Sequence, residues 1–480
     1  MTDVSAAPGV EAAVSASPPT PAPAAVSKLG IVGWVLFELA QQPFYSVITT
    51  FLFGPFFANY FIGDPVRGQN VWLVMAAVMG LLVAVLSPTL GAMADASGRR
   101  KPWVLVASLF LMAGMSTLWL AEPGHIEYLW LIAAAYVVAG VSAELNGAFV
   151  NAIMPKLVAP AYFGRLSGIS ASVAYLGGLT ALILMTAFVA VDATSGKTLL
   201  GLDPLIKLDV ARFESDRIAG PMVAVWFLVF SLPFFIFTPD PKSGTASSTP
   251  VKDGLRALRQ TAREIGRYES AATFLIARML YQDGLGGLFA LAGIYGIQLF
   301  GWRTVDSGLF GIILILCAMV GAALASIIES RIGAKRLIMI CLLVAIIGAT
   351  GVASIGADHV LFSIAVAPKL LGSAFMSSAG EWVFLVSAVL VGIVAGPLNS
   401  SSRSLMAQLS PPDKLAQFFG FYAFSGKATS FLAPILIVVL TTVTGDTRMG
   451  VVVVLAFLYH GLILMPFVRV AKEPQSTPSP

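Results

Sequence analysis

Gly91-Ala-Met-Ala-Asp95-Ala-Ser-Gly98-Arg99-Arg100-Lys101 stands between two long apolar runs of the chain. Gly91 and Gly98 permit a tight turn and close helix approach, Asp95 places one anion, and three consecutive cations hold the turn in water on one side of an apolar layer. Such a hinge joins two membrane-spanning helices. The rest of the chain agrees: of 480 residues 57% are hydrophobic and 11% charged, and the mean hydropathy is +0.87. That composition excludes a soluble globular domain. About twelve windows approach the ~20 apolar residues needed to cross ~30 Å of hydrocarbon. They lie near 30–62, 70–94, 102–121, 127–152, 163–191, 219–238, 269–299, 306–329, 335–355, 380–402, 416–443 and 450–470, which leaves little chain for a soluble catalytic domain.

The net charge of +4 does not imply nucleic acid, because the cations fall in short loops between apolar spans. Cys317 and Cys341 sit within apolar runs and read as buried thiols rather than a disulfide framework. His125, His359 and His460 have no ligand spacing, so no metal site is expected. Gly420-Phe-Tyr-Ala-Phe-Ser-Gly426-Lys427 imitates a phosphate loop, yet its spacer is too long and Ala428 replaces the hydroxyl residue. With no nucleotide site, no cofactor and no nucleophile, base or metal constellation, the chain reads as a transporter rather than an enzyme, driven by an ion gradient or by the solute's own gradient.

Arg99, Arg100, Lys101, Lys156, Arg165, Arg331, Lys335, Arg336, Arg403 and Lys414 are expected in cytoplasmic loops, which orients both termini to the cytoplasm. Residues 1–27, rich in Ala, Pro and Ser, read as a disordered tail without a cleaved signal peptide. The Pro- and Ser-rich stretch 239–250 divides the spans six and six, predicting one bundle over 28–240, a linker over 241–268, a second bundle over 269–472 and a tail over 473–480. Within the linker, Val251, Leu255, Leu258, Ala262 and Ile265 recur at helical spacing opposite Lys252, Arg256, Arg259, Arg263 and Arg267. This predicts a basic interfacial helix, with a solvated linker as the alternative. Residues 329–336 repeat the hinge faintly, with Ser330 at the position of Asp95. Residues 192–218 read as a solvated cap, and 357–379 as a surface or re-entrant segment.

Glu38, Glu144, Arg278, Asp283 and Lys427 fall inside spans, where an unpaired charge is costly, so each is a candidate functional residue. At ~1.5 Å per residue, Glu38, Glu144, Arg278 and Lys427 lie roughly 12–18 Å deep, with Asp283 further along its helix. Two acids and two bases at one depth are expected to neutralise each other, leaving Asp283 as the candidate proton carrier. Gln41, Gln42 and Tyr45, Asn146 and Asn151, and Tyr281 and Gln282 add polar groups to the same spans, suiting a small polar solute. The alternative is structural salt bridging and amide pairing between helices.

The hinge, with Gly91, Asp95, Gly98, Arg99 and Arg100, resembles the signature of the major facilitator superfamily. Four passages are similar to the vacuole-effluxer branch of that superfamily, the autophagy-related vacuolar amino acid exporters and their bacterial relatives. They are Trp34-Val-Leu-Phe-Glu38-Leu-Ala-Gln41-Gln42-Pro-Phe-Tyr45, Tyr281-Gln-Asp283-Gly284 with Ala290 to Gly296, Ser400-Ser-Ser-Arg403-Ser-Leu, and Phe418-Phe-Gly-Phe-Tyr422 to Lys427-Ala-Thr-Ser430. The first departs from the branch in carrying Glu38 for Asp and Gln41-Gln42 for Asn-Ser. The resemblance implies an all-α membrane protein of two pseudo-symmetric six-helix bundles that moves its substrate by alternating access, with Asp95 latching the first half to the start of the eleventh helix. The reading is a monomeric secondary transporter of a small polar solute, an amino acid or similar zwitterion, coupled to a proton and set in the lipid bilayer of a bacterial inner membrane. Arg278 and Lys427 would meet a carboxylate, and Glu38 or Asp283 an ammonium or the proton. A lipid or drug carrier and a non-transporting sensor or scaffold are the alternatives.

Overall fold

The computed structural model describes residues 27–97, 99–151, 153–154, 157–158, 163–191, 196–198, 200–240, 266–356, 358–370, 372–410, 418, 421–422, 425–426 and 428–470. Lys156, Lys414, Lys427, Gly98, both tails and the interfacial helix expected over 251–265 lie outside the described residues, as do the side chains of Asp95, Arg165 and Ser330.

The helices are α1 Lys28–Pro43, α2 Pro65–Ser97, α3 Lys101–Thr117, α4 Leu129–Asn151, α5 Phe163–Phe188, α6 Ala219–Phe237, α7 Glu269–Phe300, α8 Thr304–Ile332, α9 Ala334–Ala353, α10 Ala379–Leu409, α11 Leu432–Thr444 and α12 Met449–Leu464. Among the described residues, ten helical spans are long and apolar enough to cross a membrane. The two exceptions are α1 and α11. The span expected over 30–62 is one path but not one regular helix: beyond Pro43, which has no N–H to donate, it widens into π turns at Phe44–Phe51 and Phe57–Phe61 around a short turn at Phe53–Phe56. Elsewhere, helix ends follow local chemistry. Ser378 and Glu381 form a capping box that starts α10, while Gly301 (φ 62°) ends α7 and Gly333 (φ 81°) separates α8 from α9.

Packing repeats between the halves. In the first, α1 lies against α5 and α6, α4 against α2 and α3, and α3 against α6; in the second, α7 lies against α11 and α12, α10 against α8 and α9, and α9 against α12. A lysine in the first turn of each third helix bonds the end of the sixth. Lys101 Nζ donates to Phe235 O (2.9 Å), and Lys335 Nζ donates to Pro466 O (3.1 Å) and Val468 O (2.7 Å). Thr238 Oγ1 donates to Gly30 O (2.9 Å) and Arg469 N to Ser270 Oγ (3.1 Å), so each half's first helix starts beside the end of its sixth, and the side of the bundle carrying these ends is here the terminal face. The α7 and α10 windows are 67% and 56% buried against 33% to 44% for the other eight, so these two helices lie innermost.

The halves meet through α2 with α11, α5 with α8, and the widened part of the first span with α7 and α8. On the face opposite the termini this junction is closed. Tyr60 Oη donates to Trp302 O (3.4 Å), Gln298 Nε2 to Pro65 O (3.0 Å), Asn70 Nδ2 to Thr442 Oγ1 (2.9 Å) and Thr441 Oγ1 to Asn70 Oδ1 (2.7 Å). Gly293 lets the chains touch, for a Cβ there would stand 2.5 Å from Thr50 O.

Two segments extend from this face. Residues 200–213 are tied down by Glu122, which takes a bidentate fork from Arg212 (2.8 and 2.7 Å) and a bond from Arg217 (3.1 Å). The 357–379 segment is a surface feature, with an antiparallel hairpin pairing His359–Val360 with Ile364–Ala365. Its Lys369 is buried against Glu381 (2.6 Å), which also accepts from Trp302 Nε1 (2.7 Å). Arg403 corrects the loop assignment: it lies inside α10, not in a cytoplasmic loop.

Candidate functional site

The candidate site is a layer of polar side chains on α1 and α4 of the first half and on α7 and α10, the innermost helices, of the second. Glu38, Glu144, Arg278 and Arg403 sit roughly 9–15 Å from the terminal-face ends of α1, α4, α7 and α10, counted at ~1.5 Å per residue.

In the first half, Trp34 Nε1 donates to Val150 O (2.8 Å), fixing α1 on α4 and aligning their polar faces. Two to three turns on, Tyr45 Oη donates to Glu144 Oε1 (3.2 Å) while Gln41 Nε2 donates to Tyr45 Oη (3.5 Å). Gln41 is 6% exposed, and its Oε1 has no hydrogen-bond partner among the described residues. A buried amide oxygen left so is costly, and it marks a place where a donor from outside the protein would be welcome. Glu38 and Gln42 are half-buried beside this chain of groups. Asn146 turns away to donate to Ser108 Oγ (3.3 Å). Asn151, expected in the site, is exposed at the terminal-face end of α4 and does not join it.

The second half centres on Arg278, which is buried. Its Nη1 donates to Tyr422 O (2.8 Å) and Ser425 Oγ (2.9 Å), and its guanidinium lies 3.7 Å from the Tyr422 ring centroid. Gly426 makes this approach possible, since a Cβ there would fall 2.8 Å from the guanidinium. Tyr281 Oη and Ser402 Oγ share a bond (2.6 Å), and Tyr422 Oη donates to Asn399 O (3.4 Å), so α7, α10 and the start of the eleventh span converge. Asp283 is buried on α7 and Gln282 half-buried. Lys427 lies outside the described residues.

Of the expected pairing of both acids with Arg278 and Lys427, the Lys427 side lies outside the described residues. The partners described for Arg278 all belong to its own half, and Glu144 is bonded to Tyr45. The cation that acts electrostatically on Glu38 is Arg403, half-buried on α10, which acts also on Tyr175 of α5. Arg403 and Tyr175 are therefore candidate site residues that sequence reasoning misses. The available signal was that Ser400-Ser-Ser-Arg403 continues the helical register of α10 without Gly or Pro. The arrangement sets an acid, a phenol and an amide of one half opposite cations and hydroxyls of the other, beneath the closed opposite face.

The sequence profile of the family described as "Vacuole effluxer Atg22 like" matches residues 58–476. The chain is 24% identical over 438 residues to the uncharacterized MFS-type transporter YxiO of Bacillus subtilis, covering 91% of this chain and 94% of that one. It is 25% identical over 299 residues to autophagy-related protein 22 of Cryptococcus neoformans, covering 61% of this chain and 50% of that protein. The chain thus spans about half the length of that fungal relative. Its fold is similar to that of the xylose transporter XylE from E. coli in a partially occluded inward open conformation, with a TM-score of 0.62 at 14% identity over 93% of this chain and 99% of that one. Likeness at that identity shows the fold alone, the twelve-helix major facilitator arrangement.

Proposed function

Because the chain belongs to the Atg22-like vacuole effluxer family of major facilitator transporters, we propose that it carries a small zwitterionic solute, an amino acid or close analogue, by alternating access. One observation carries the reading. Buried Arg278, held by Tyr422 and Ser425 on one half, shares a layer with the Gln41–Tyr45–Glu144 chain and Glu38 on the other. A carboxylate meets a guanidinium best through paired N–H donors, and an ammonium needs acceptors such as Gln41 Oε1 and Glu38. A solute with both groups spans the two halves and so couples binding to their movement. The closed opposite face supports an inward-facing state with both termini in the cytoplasm of a bacterial cell. Asp283 or Glu38 carries the coupling proton in this reading, and the protein acts as a monomer.

The test is a thermal-shift screen of the detergent-purified chain against amino acids, dipeptides, sugars, nucleosides and amphiphiles, since a ligand that binds only the folded state raises its stability. One amino acid class should raise the melting temperature, and Arg278→Ala should abolish that rise. Stabilisation by amphiphiles alone would replace this reading with a lipid or drug carrier.

A further inference from the structure

On the lipid-facing side, away from the polar layer, the outer valley between the closely packed helices α9 and α10 forms a groove of about 590 Å³, within the ~300–1,000 Å³ range of small-molecule sites. Its walls include Ile347 and Thr350 of α9 and Trp382 and Val386 of α10, and the hairpin residues Leu361 and Phe362 roof its end nearest the face opposite the termini. Three hydroxyls line it, yet each is spent on its own chain: Thr350 donates to Ile346 O (2.8 Å), Ser354 to Gly351 O (2.7 Å) and Ser387 to Val383 O (2.7 Å). The groove therefore offers an apolar wall and no unspent hydroxyl donor, which suits a hydrocarbon chain and not a polar solute.

The roof supplies a second, independent observation. Leu361 (φ 49°) and Phe362 (φ 67°) are consecutive bulky residues in the left-handed region, a conformation such side chains rarely adopt. Strain of this kind persists only where the surroundings hold it. Here Phe362 N donates to Ser354 O (3.0 Å), pinning the tip of the hairpin to the end of α9. The outcome is that Leu361 and Phe362, 54% and 66% exposed, hang over the groove rather than turning into the protein. Trp382 flanks the opening with its indole N–H already bound to Met376 O (3.1 Å), leaving the ring to the bilayer interface where such aromatic belts lie.

We propose that this groove holds one acyl chain of a phospholipid drawn from the leaflet on the face opposite the termini, clasped by the hairpin. The groove opens on the outer surface of two membrane-spanning helices, so a lipid chain is the partner already at its mouth. Detergent-purified full-length protein, washed in excess detergent, is analysed by intact-mass spectrometry for retained phospholipid. Wild type should carry one phospholipid per chain. Val386→Trp, which fills the groove from its lipid side, and Phe362→Asp, which removes the apolar roof, should each lower the retained fraction about tenfold. Leu343→Trp, on the exposed surface of α9 outside the groove, should retain it. Wild type without bound phospholipid, a bound fatty acid or detergent mass in its place, equal retention in Val386→Trp, or equal loss in Leu343→Trp would each overturn the proposal.

Discussion

The guanidinium of Arg278 does two things that an ammonium cannot do together: it donates to a carbonyl and a hydroxyl of the eleventh span while lying flat on the Tyr422 ring. Arg278→Lys keeps the charge but surrenders the planar fork, and a hydrogen bond to a charged group contributes ~1.5–3 kcal/mol. Solute affinity, read by isothermal titration, should fall by about tenfold or more. A second prediction concerns Glu122. The fork from Arg212, helped by the charge of Arg217, holds its carboxyl far down, to about 2. A depressed carboxyl contributes its stabilisation in full above the ordinary carboxylate range and loses it only as pH falls towards the depressed value. Hydrogen-exchange protection over 200–213 should thus be equal at pH 5 and pH 8, and should drop several-fold at both in Glu122→Gln. At this scale the sequence shows which residues are charged in an apolar setting. It does not show whom they meet, because Arg403 and Glu38 lie on helices of different halves and only tertiary packing brings them near each other.

Among elements, the first span is the one whose irregularity matters. Pro43 and Pro55 are plain in the sequence, and they interrupt the regular helix while leaving the chain on one path, so the span is legible and its π turns are not. The wide turns begin three residues after Gln41, at Phe44, and let Thr50 O meet α7 at Gly293. Gly293→Ile places a branched side chain at that contact and should prise the opposite face apart. In a background with Cys317 and Cys341 replaced by alanine, Ser46→Cys should become several-fold more reactive to a membrane-impermeant maleimide applied from the opposite face. Unchanged reactivity would mean the contact does not gate that side. The 357–379 segment shows the same limit of sequence reading: an apolar run too short to span is legible as such, but hairpin register depends on the helix ends that hold it.

For the whole molecule, the twelve spans and their division into halves follow from hydropathy and one Pro-rich break. A bilayer imposes helix length and forbids unsatisfied backbone, which is why so much of the architecture is readable in a single chain. Alternating access is a property of the pair of halves, and its proposed latch is Asp95, at the terminal-face end of α2. Asp95→Asn should weaken the state closed on the terminal face and raise labelling of a cavity cysteine at Gln42 from that side. A change in the reverse direction would assign Asp95 another part.

The two lysine clasps described above, Lys101 onto the end of α6 and Lys335 onto the end of α12, have a historical reading. They are the same fastening made twice, as a duplicated gene fragment would leave it, and each ties shut its own half without help from the other. A chain whose reading frame is divided within 241–250, with the two pieces produced together, should therefore reassemble by complementation in the membrane and regain transport. Lys335→Met in the second fragment alone should reduce the yield of that reunion more than the same change reduces the yield of the undivided chain.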